Sequence, residues 1–385
     1  MVRRGRDFDE DDVRIRANPR GTRPRSRLRP GHEDAADAMV IAVDRGRYTC
    51  LISDRDGDRE IVAMKARELG RKGVVVGDLR GGPDSLGRVV RVHPRAHVLR
   101  RTADDTDPVE RVIVANADQL VIVTALADPE PRPRMIDRCL VAAYDAGLNP
   151  VLCLTKADLA DPAPLLAAYE PLGVTAIVTS SAAVADSGGA TDAGGAAGSG
   201  ADAQDDASAD LGRLREVLAG RVSVLVGHSG VGKSTLVNRL VPDADRAIGE
   251  VNDVTGRGRH TSTSAVALRL PDAAPESGDP DGPDAPEGPG WVIDTPGVRS
   301  FGLAHVGPDT VIAAFPDLAE VTAQCPRGCT HAADAPDCAL DDWLAGFAGD
   351  SPERAVAAAR VDSVRRLLAA LSDRDRDRER DRERT

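Results

Sequence analysis

Aromatic residues make up only 2% of this 385-residue chain. Between Met39 and Arg101 the one aromatic is Tyr48, so base stacking on a row of aromatic rings is excluded there, and any RNA contact would be made through backbone and shape. Long hydrophobic runs are also missing. No apolar stretch reaches the length of a membrane span, and the arginine-rich N-terminus has no apolar segment behind it to act as a signal peptide. A cytoplasmic protein that does not engage a membrane is expected. Cysteine is sparse, with six in all. Cys50, Cys139 and Cys153 stand singly in strand- or helix-like stretches and read as buried thiols, which argues against a disulfide framework.

Charge of one sign is absent from three stretches. Residues 183–210 and 271–290 each carry six acids and no base, and together they account for the net charge of −12. Both are rich in Gly, Ala, Pro, Ser and Asp and lack large apolar residues, so they are expected to be disordered insertions. Val13–Pro30 is the reverse, with seven arginines and no acid. Such an arm engages RNA phosphates or is a solvated tail.

The stretch that organises the rest is Gly227, His228, Ser229, Gly230, Val231, Gly232, Lys233, Ser234 and Thr235. It follows the apolar run Val222–Val226, read as a buried strand, and runs into Leu236–Leu240, read as a helix. Strand, G-x-x-x-x-G-K-[ST], helix is the phosphate-binding P-loop context. Glycines let successive N–H groups face a phosphate at the helix N-terminus. Lys233 would reach the β- and γ-phosphates, and Ser234 would ligate Mg²⁺.

Upstream, Met39–Val43, Tyr48–Ile52, Ile61–Met64, Val74–Val76 and Leu86–Val92 are short apolar or alternating runs separated by turn signals. Five strands in so short a span fit a small barrel of the OB type over residues 38–103, although the strand count alone does not exclude another small barrel. From Val109 strands and helices alternate, as in a doubly wound parallel sheet that binds ligands at its strand ends. Leu120–Val123, Val151–Leu154 and Thr175–Val178 read as strands; Arg134–Ala146, Pro162–Glu170 and Leu211–Leu218 read as helices.

Two strand ends supply base specificity. After Val151–Leu154 come Thr155, Lys156, Ala157 and Asp158, and a carboxylate there can accept both guanine N1–H and N2–H₂ while the lysine stem lies across the purine. After Thr175–Val178 come Thr179, Ser180, Ser181 and Ala182, which can present an N–H to guanine O6. Beyond the P-loop, Thr261 and Thr263 are candidates for the switch threonine on Mg²⁺, with Thr261 preferred. His260 is a candidate to position the attacking water, or else a plain loop histidine. Trp291–Asp294 reads as a strand ending on the Mg²⁺-associated aspartate, and Gly297 is placed to meet the γ-phosphate. Val298 stands where Ras-like proteins have a water-orienting glutamine, so slow intrinsic hydrolysis is expected. Base-reading motifs precede the P-loop, the reverse of the ordinary GTPase order, so the domain over 108–303 reads as circularly permuted.

Towards the C-terminus Cys325, Cys329, His331 and Cys338 cluster. Three thiolates and one imidazole make a closed tetrahedral set, a structural zinc site, the alternative being reduced cysteines in a loop. Ser351, Pro352 and Glu353 start a helix whose Val364, Leu367, Leu368 and Leu371 share one face. Residues 304–372 are read as a zinc-binding helical domain, and Asp373–Arg384 as a charged tail.

These residues, with Val114–Gln119, Gly258–Thr263 and Asp294–Gly302, resemble the ribosome small-subunit-dependent GTPase A family over about residues 38–371. The resemblance implies an N-terminal OB domain, a circularly permuted GTPase domain and a C-terminal zinc domain. It implies a GTP hydrolase that uses Mg²⁺-GTP, binds the small ribosomal subunit and its rRNA late in maturation, and leaves with GDP; a monomer is expected. The chain departs from the family at Thr155, where Asn is commoner, at Ser262, and in the spacing of the cysteine cluster. The competing readings are a P-loop ATPase or kinase, disfavoured by Asp158, and a non-catalytic RNA-binding assembly protein that holds GTP as a structural ligand.

Overall fold

The computed structural model describes residues 35–383 except 45, 56, 70–72, 79–86, 103–109, 181–209, 243–264, 272–288, 296–302, 304–305 and 350. Nearly all of the arginine-rich arm and most of both acidic insertions fall outside the described residues. So do Ser181, Ala182, His260, Thr261, Thr263, Gly297 and Val298.

The described strands build one ten-stranded sheet and a separate hairpin. β1 (Met39–Asp44), β2 (Arg47–Asp54) and β3 (Gly57–Lys65) form an antiparallel meander, and β4 (Arg88–Val89) adds parallel to β3. Alternation puts Val40, Tyr48, Cys50 and Ala63 on one side, where they close a small core with Val74 and Val89. The run expected as a strand at Val74–Val76 is instead a single parallel bridge, Val76 to Val114, and the expected strand at Leu86–Val92 is reduced to the two residues of β4. Gly77 explains the break. It has φ of 82°, and a Cβ on it would lie 1.9 Å from the carbonyl oxygen of Ala115, so only glycine lets the two backbones approach here. β5 (Val98–Thr102) and β6 (Glu110–Ala115) form the antiparallel hairpin.

The nucleotide-type sheet comes next. β7 (Gln119–Ala125), β8 (Asn149–Thr155), β9 (Thr175–Val178), β10 (Val222–Gly227), β11 (Val266–Arg269) and β12 (Trp291–Asp294) lie in the order β11-β12-β10-β7-β8-β9. All neighbours are parallel except β11 against β12. β7 is buried along its whole length and β10 beyond its first residue, and both are mostly apolar because both faces of the sheet are covered. α1 (Pro133–Asp145) lies on one face, and α3 (residues 210–218) and α4 (Lys233–Leu240) pack on the other, dividing the core into two clusters. α2 (Ala163–Tyr169) and a short 3-10 turn over Glu170–Leu172 fill the connection from β8 to β9. At the far edge β1 pairs with β11 through Ala42 and Val266, which makes the N-terminal meander continuous with this sheet.

The C-terminal stretch is helical: α5 (Pro308–Ala313), α6 (Pro316–Thr322), α7 (Ala339–Ala345) and α8 (Pro352–Glu383). Proline opens α1, α5, α6 and α8, where its missing N–H costs nothing. The Ser351 hydroxyl caps α8 by accepting from the Arg354 N–H at 3.2 Å. Val361, Val364, Leu367, Leu368 and Leu371 of α8 are buried in the same cluster as Leu140 of α1, Leu318 of α6 and Phe315 just before α6. The backbone of the charged tail continues α8 as helix to Glu383. No helix among the described residues is long and apolar enough to cross a membrane.

Candidate nucleotide site and metal cluster

The C-terminal ends of β7, β8, β9, β10 and β12 carry the chemistry. β10 ends at Gly227, packed against β7 so closely that a Cβ would stand 2.5 Å from the Val123 carbonyl oxygen. The loop then turns through Gly230 and Gly232, both left-handed, and Gly232 caps α4 with φ of 89°. α4 opens with Lys233, Ser234 and Thr235, the two hydroxyl residues being exposed. His228 and Ser229 make only a local contact, His228 Nδ1 lying 2.9 Å from the Ser229 carbonyl oxygen.

Lys233 crosses to β12, where its ammonium forms an ion pair with the Asp294 carboxylate. The residues that sequence assigns to phosphate and to Mg²⁺ are therefore in direct contact. The next residue, Thr295, is buried and donates to the Leu225 carbonyl at 2.8 Å, fastening the end of β12 to β10.

At the end of β8, Thr155 is buried and spends its hydroxyl on the Val231 carbonyl of the P-loop at 2.6 Å. It braces the loop from the end of β8. Lys156 takes the left-handed conformation, φ of 59°, and its ammonium caps the Asp128 carbonyl beyond β7. Asp158 is exposed, and the Ser180 hydroxyl donates to its carboxylate at 3.2 Å. The Ala157 N–H reaches the Thr179 carbonyl at 3.2 Å, which keeps the segments that follow β8 and β9 together. Sequence pattern gave no sign of the partners Asp128 and Val231, which act through backbone carbonyls that carry no residue signature.

The permuted order has its own joint. Asn116, with φ of 53°, donates to the Gly77 carbonyl and accepts from the Ala96 N–H; Asp118 accepts from the Val222 N–H at 2.7 Å. Gln119 donates to Ser223 on β10 at 2.8 Å. The Val114–Gln119 stretch thus ties the N-terminal strands to the strand that carries the P-loop.

Cys325, Cys329, His331 and Cys338 meet in the connection between α6 and α7, their ligand atoms all within 4.8 Å of one another. The Ala339 N–H points at the Cys325 sulfur at 3.3 Å and the His331 N–H at the Cys329 sulfur at 3.4 Å, donors that favour thiolate. Without a metal, burial pushes the Cys325 thiol up to about 11, and burial also holds the His331 imidazole below its ordinary value. Three sulfurs and one imidazole leave no open position, so this set can hold a metal structurally. α8 grips it: Arg365 donates to the His331 carbonyl at 3.2 Å and to both Asp341 oxygens at 2.9 Å. The remaining cysteines behave as read from sequence, with Cys50, Cys139 and Cys153 all buried.

A sequence profile described as RsgA GTPase matches residues 92–188 and 200–304. The small ribosomal subunit biogenesis GTPase RsgA of Pseudomonas aeruginosa is 36% identical over 303 residues, covering 77% of this chain and 74% of its own length.

The chain belongs to the RsgA GTPase family.

The RsgA of Pseudomonas fluorescens is similar at 35% identity over 301 residues, with 76% of this chain and 73% of that protein covered. In three dimensions the chain is similar to the crystal structure of YjeQ from Thermotoga maritima, with a TM-score of 0.55 and 23% identity over 87% of this chain and 98% of that one. It is also similar to YloQ, described as a circularly permuted GTPase, with a TM-score of 0.53 and 20% identity over 90% and 99%. The permuted order expected from the motifs is the order of this RsgA fold.

Proposed function

We propose that this chain is a GTP hydrolase that binds the small ribosomal subunit during late maturation and uses hydrolysis to GDP and phosphate to leave it. The observation that supports the reading is the contact of Ser180 with Asp158 and of Lys233 with Asp294, past the C-terminal ends of the parallel strands, alongside relatives named for small-subunit biogenesis.

In this reading the backbone of Gly227–Thr235 and the Lys233 ammonium take the phosphates, and Ser234 with Asp294 holds Mg²⁺, which screens the charge of the β- and γ-phosphates. Asp158 reads guanine, aided by Lys156 and by the loop from Ser180 through Ser181 and Ala182. Thr261 and Gly297 sense the γ-phosphate, and His260 positions water. Thr155 serves as a brace for the P-loop. The N-terminal strands, with their separate small core, are assigned to an OB-type barrel that contacts rRNA. Zinc fills the three-cysteine, one-histidine cluster of a C-terminal domain that also grips the subunit. The protein works in the cytoplasm as a monomer.

Asp158→Asn tests the base assignment. A carboxamide presents a donor where guanine presents one, so preference should move from GTP towards XTP. A variant that keeps its preference for GTP, with XTP still rejected, would remove Asp158 from the role.

A further inference from the structure

A chain of contacts links the last turn of the P-loop helix to the guanine-reading carboxylate. Arg239, on α4, donates from Nη1 to the Ser180 carbonyl at 3.0 Å. Ser180 in turn donates from its hydroxyl to the Asp158 carboxylate at 3.2 Å. The end of α4 is itself held, because Arg215 on α3 donates to the Arg239 carbonyl at 2.9 Å. Arg239 and Ser180 are 59 positions apart, with the P-loop and one acidic insertion between them.

Asp158 is exposed, and a carboxylate on an exposed loop has several rotamers open to it. Guanine needs one of them, with both oxygens turned to the N1–H and N2–H₂ edge. The Ser180 hydroxyl selects a rotamer only while its own backbone is fixed, and Arg239 supplies that fixing from an element whose position is set by the phosphate loop. A guanidinium suits the task because it is charged at every working pH and its fork geometry is rigid.

We propose that Arg239 is a positioning residue for guanine recognition, holding Ser180 so that the serine hydroxyl orients Asp158. The proposal rests on Asp158 reading guanine. It adds that discrimination against bases lacking the 2-amino group is set in part from α4, by a residue that does not touch the nucleotide.

The experiment measures GDP and IDP affinity with full-length wild type, Arg239→Met and Asp158→Asn. Hypoxanthine lacks only the 2-amino group, so the GDP-to-IDP ratio reports the second hydrogen bond to Asp158. Arg239→Met keeps the stem and removes the donor. It should weaken GDP about tenfold and IDP about threefold or less, so that the ratio drops. Equal loss for both nucleotides, or no loss, overturns the proposal, because a merely structural role for Arg239 on α4 would weaken both alike. Should the methionine variant fail to fold, Arg239→Gln removes the same reach with a polar side chain, and the same ratio decides. Asp158→Asn separates the two readings: if it leaves preference among GDP, IDP and XDP unchanged, guanine reading by Asp158 itself has failed, whatever Arg239 does.

Discussion

The hydroxyl of Thr155 donates to the backbone carbonyl of Val231 at 2.6 Å. One residue at the end of β8 thereby holds the loop that joins β10 to α4, and the proposed base and phosphate halves of the site are tied to each other. Thr155→Val is nearly isosteric and leaves the Val231 carbonyl without this donor. It should cost about 1–3 kcal/mol of folding stability and weaken GDP and GTP alike, with no change in preference over IDP. Denaturant melts and nucleotide titrations check both; a selective loss of guanine preference would place Thr155 on the base after all.

Lys233 and Asp294 neutralise each other across the site. In the proposed site phosphate therefore competes with Asp294 for the lysine, and Mg²⁺ competes with the lysine for Asp294. Asp294→Asn should bind GDP about three- to tenfold more tightly than wild type in a chelator, yet lose Mg²⁺-dependent GTP turnover. Fluorescent GDP titrations with and without Mg²⁺ give both numbers. Weaker binding in the chelator as well would show that the ion pair does not restrain the lysine.

Asp137 of α1 meets Arg366 of α8 at 3.3 Å, and the guanidinium also lies over the Tyr169 ring and donates to the Ala168 carbonyl at 3.0 Å. Burial raises the Asp137 carboxyl above its ordinary value, against the opposing pull of Arg366. A raised folded-state value means stability that is present at and below the ordinary carboxylate range and is lost as pH rises through the raised value. Asp137→Asn should remove that downward slope, whereas Arg366→Met, which strands the buried acid, should destabilise by about 1–3 kcal/mol at neutral pH. Urea melts between pH 4 and 8 distinguish the two. A wild-type stability that climbs over that window relative to Asp137→Asn would contradict the sign.

The metal cluster and α8 share Arg365, so metal removal should loosen the C-terminal helices. Elemental analysis is expected to give one zinc per chain, and a strong chelator should lower Tm by on the order of 5 °C. Absence of metal from freshly purified protein, together with a chelator-indifferent Tm, would leave the cluster as reduced cysteines.

Much of the site was legible because its signals are local. The glycine spacing of Gly227–Gly232, the apolar run of β10 and the cysteine cluster at Cys325–Cys338 each declare themselves within one short stretch of sequence. So did the apolar face of α8 at Val364, Leu367, Leu368 and Leu371. The contacts that join these pieces were not legible. Ala42 pairs with Val266, Arg239 with Ser180, and Arg360 reaches both Asp317 and the Pro171 carbonyl. Periodicity shows that a face is apolar and says nothing about which face meets it. A guanidinium aimed at a backbone carbonyl leaves no mark on the partner's identity. The strand expected at Val74–Val76 shrank to a single bridge because the turn at Gly77 carries the chain against Ala115, a constraint set by residues 38 positions away. The contact of Thr155 with the Val231 carbonyl was hidden because the two lie 76 residues apart along the chain.

A guanine-specific hydrolase triggered by the small ribosomal subunit must show both properties in its turnover. GTP and ATP hydrolysis by the purified full chain should be measured with and without small ribosomal subunits. Slow GTP turnover that rises by about 10²-fold or more with the subunit, and ATP turnover that stays at background, is the predicted result. Equal turnover of both nucleotides, indifferent to the subunit, would contradict it.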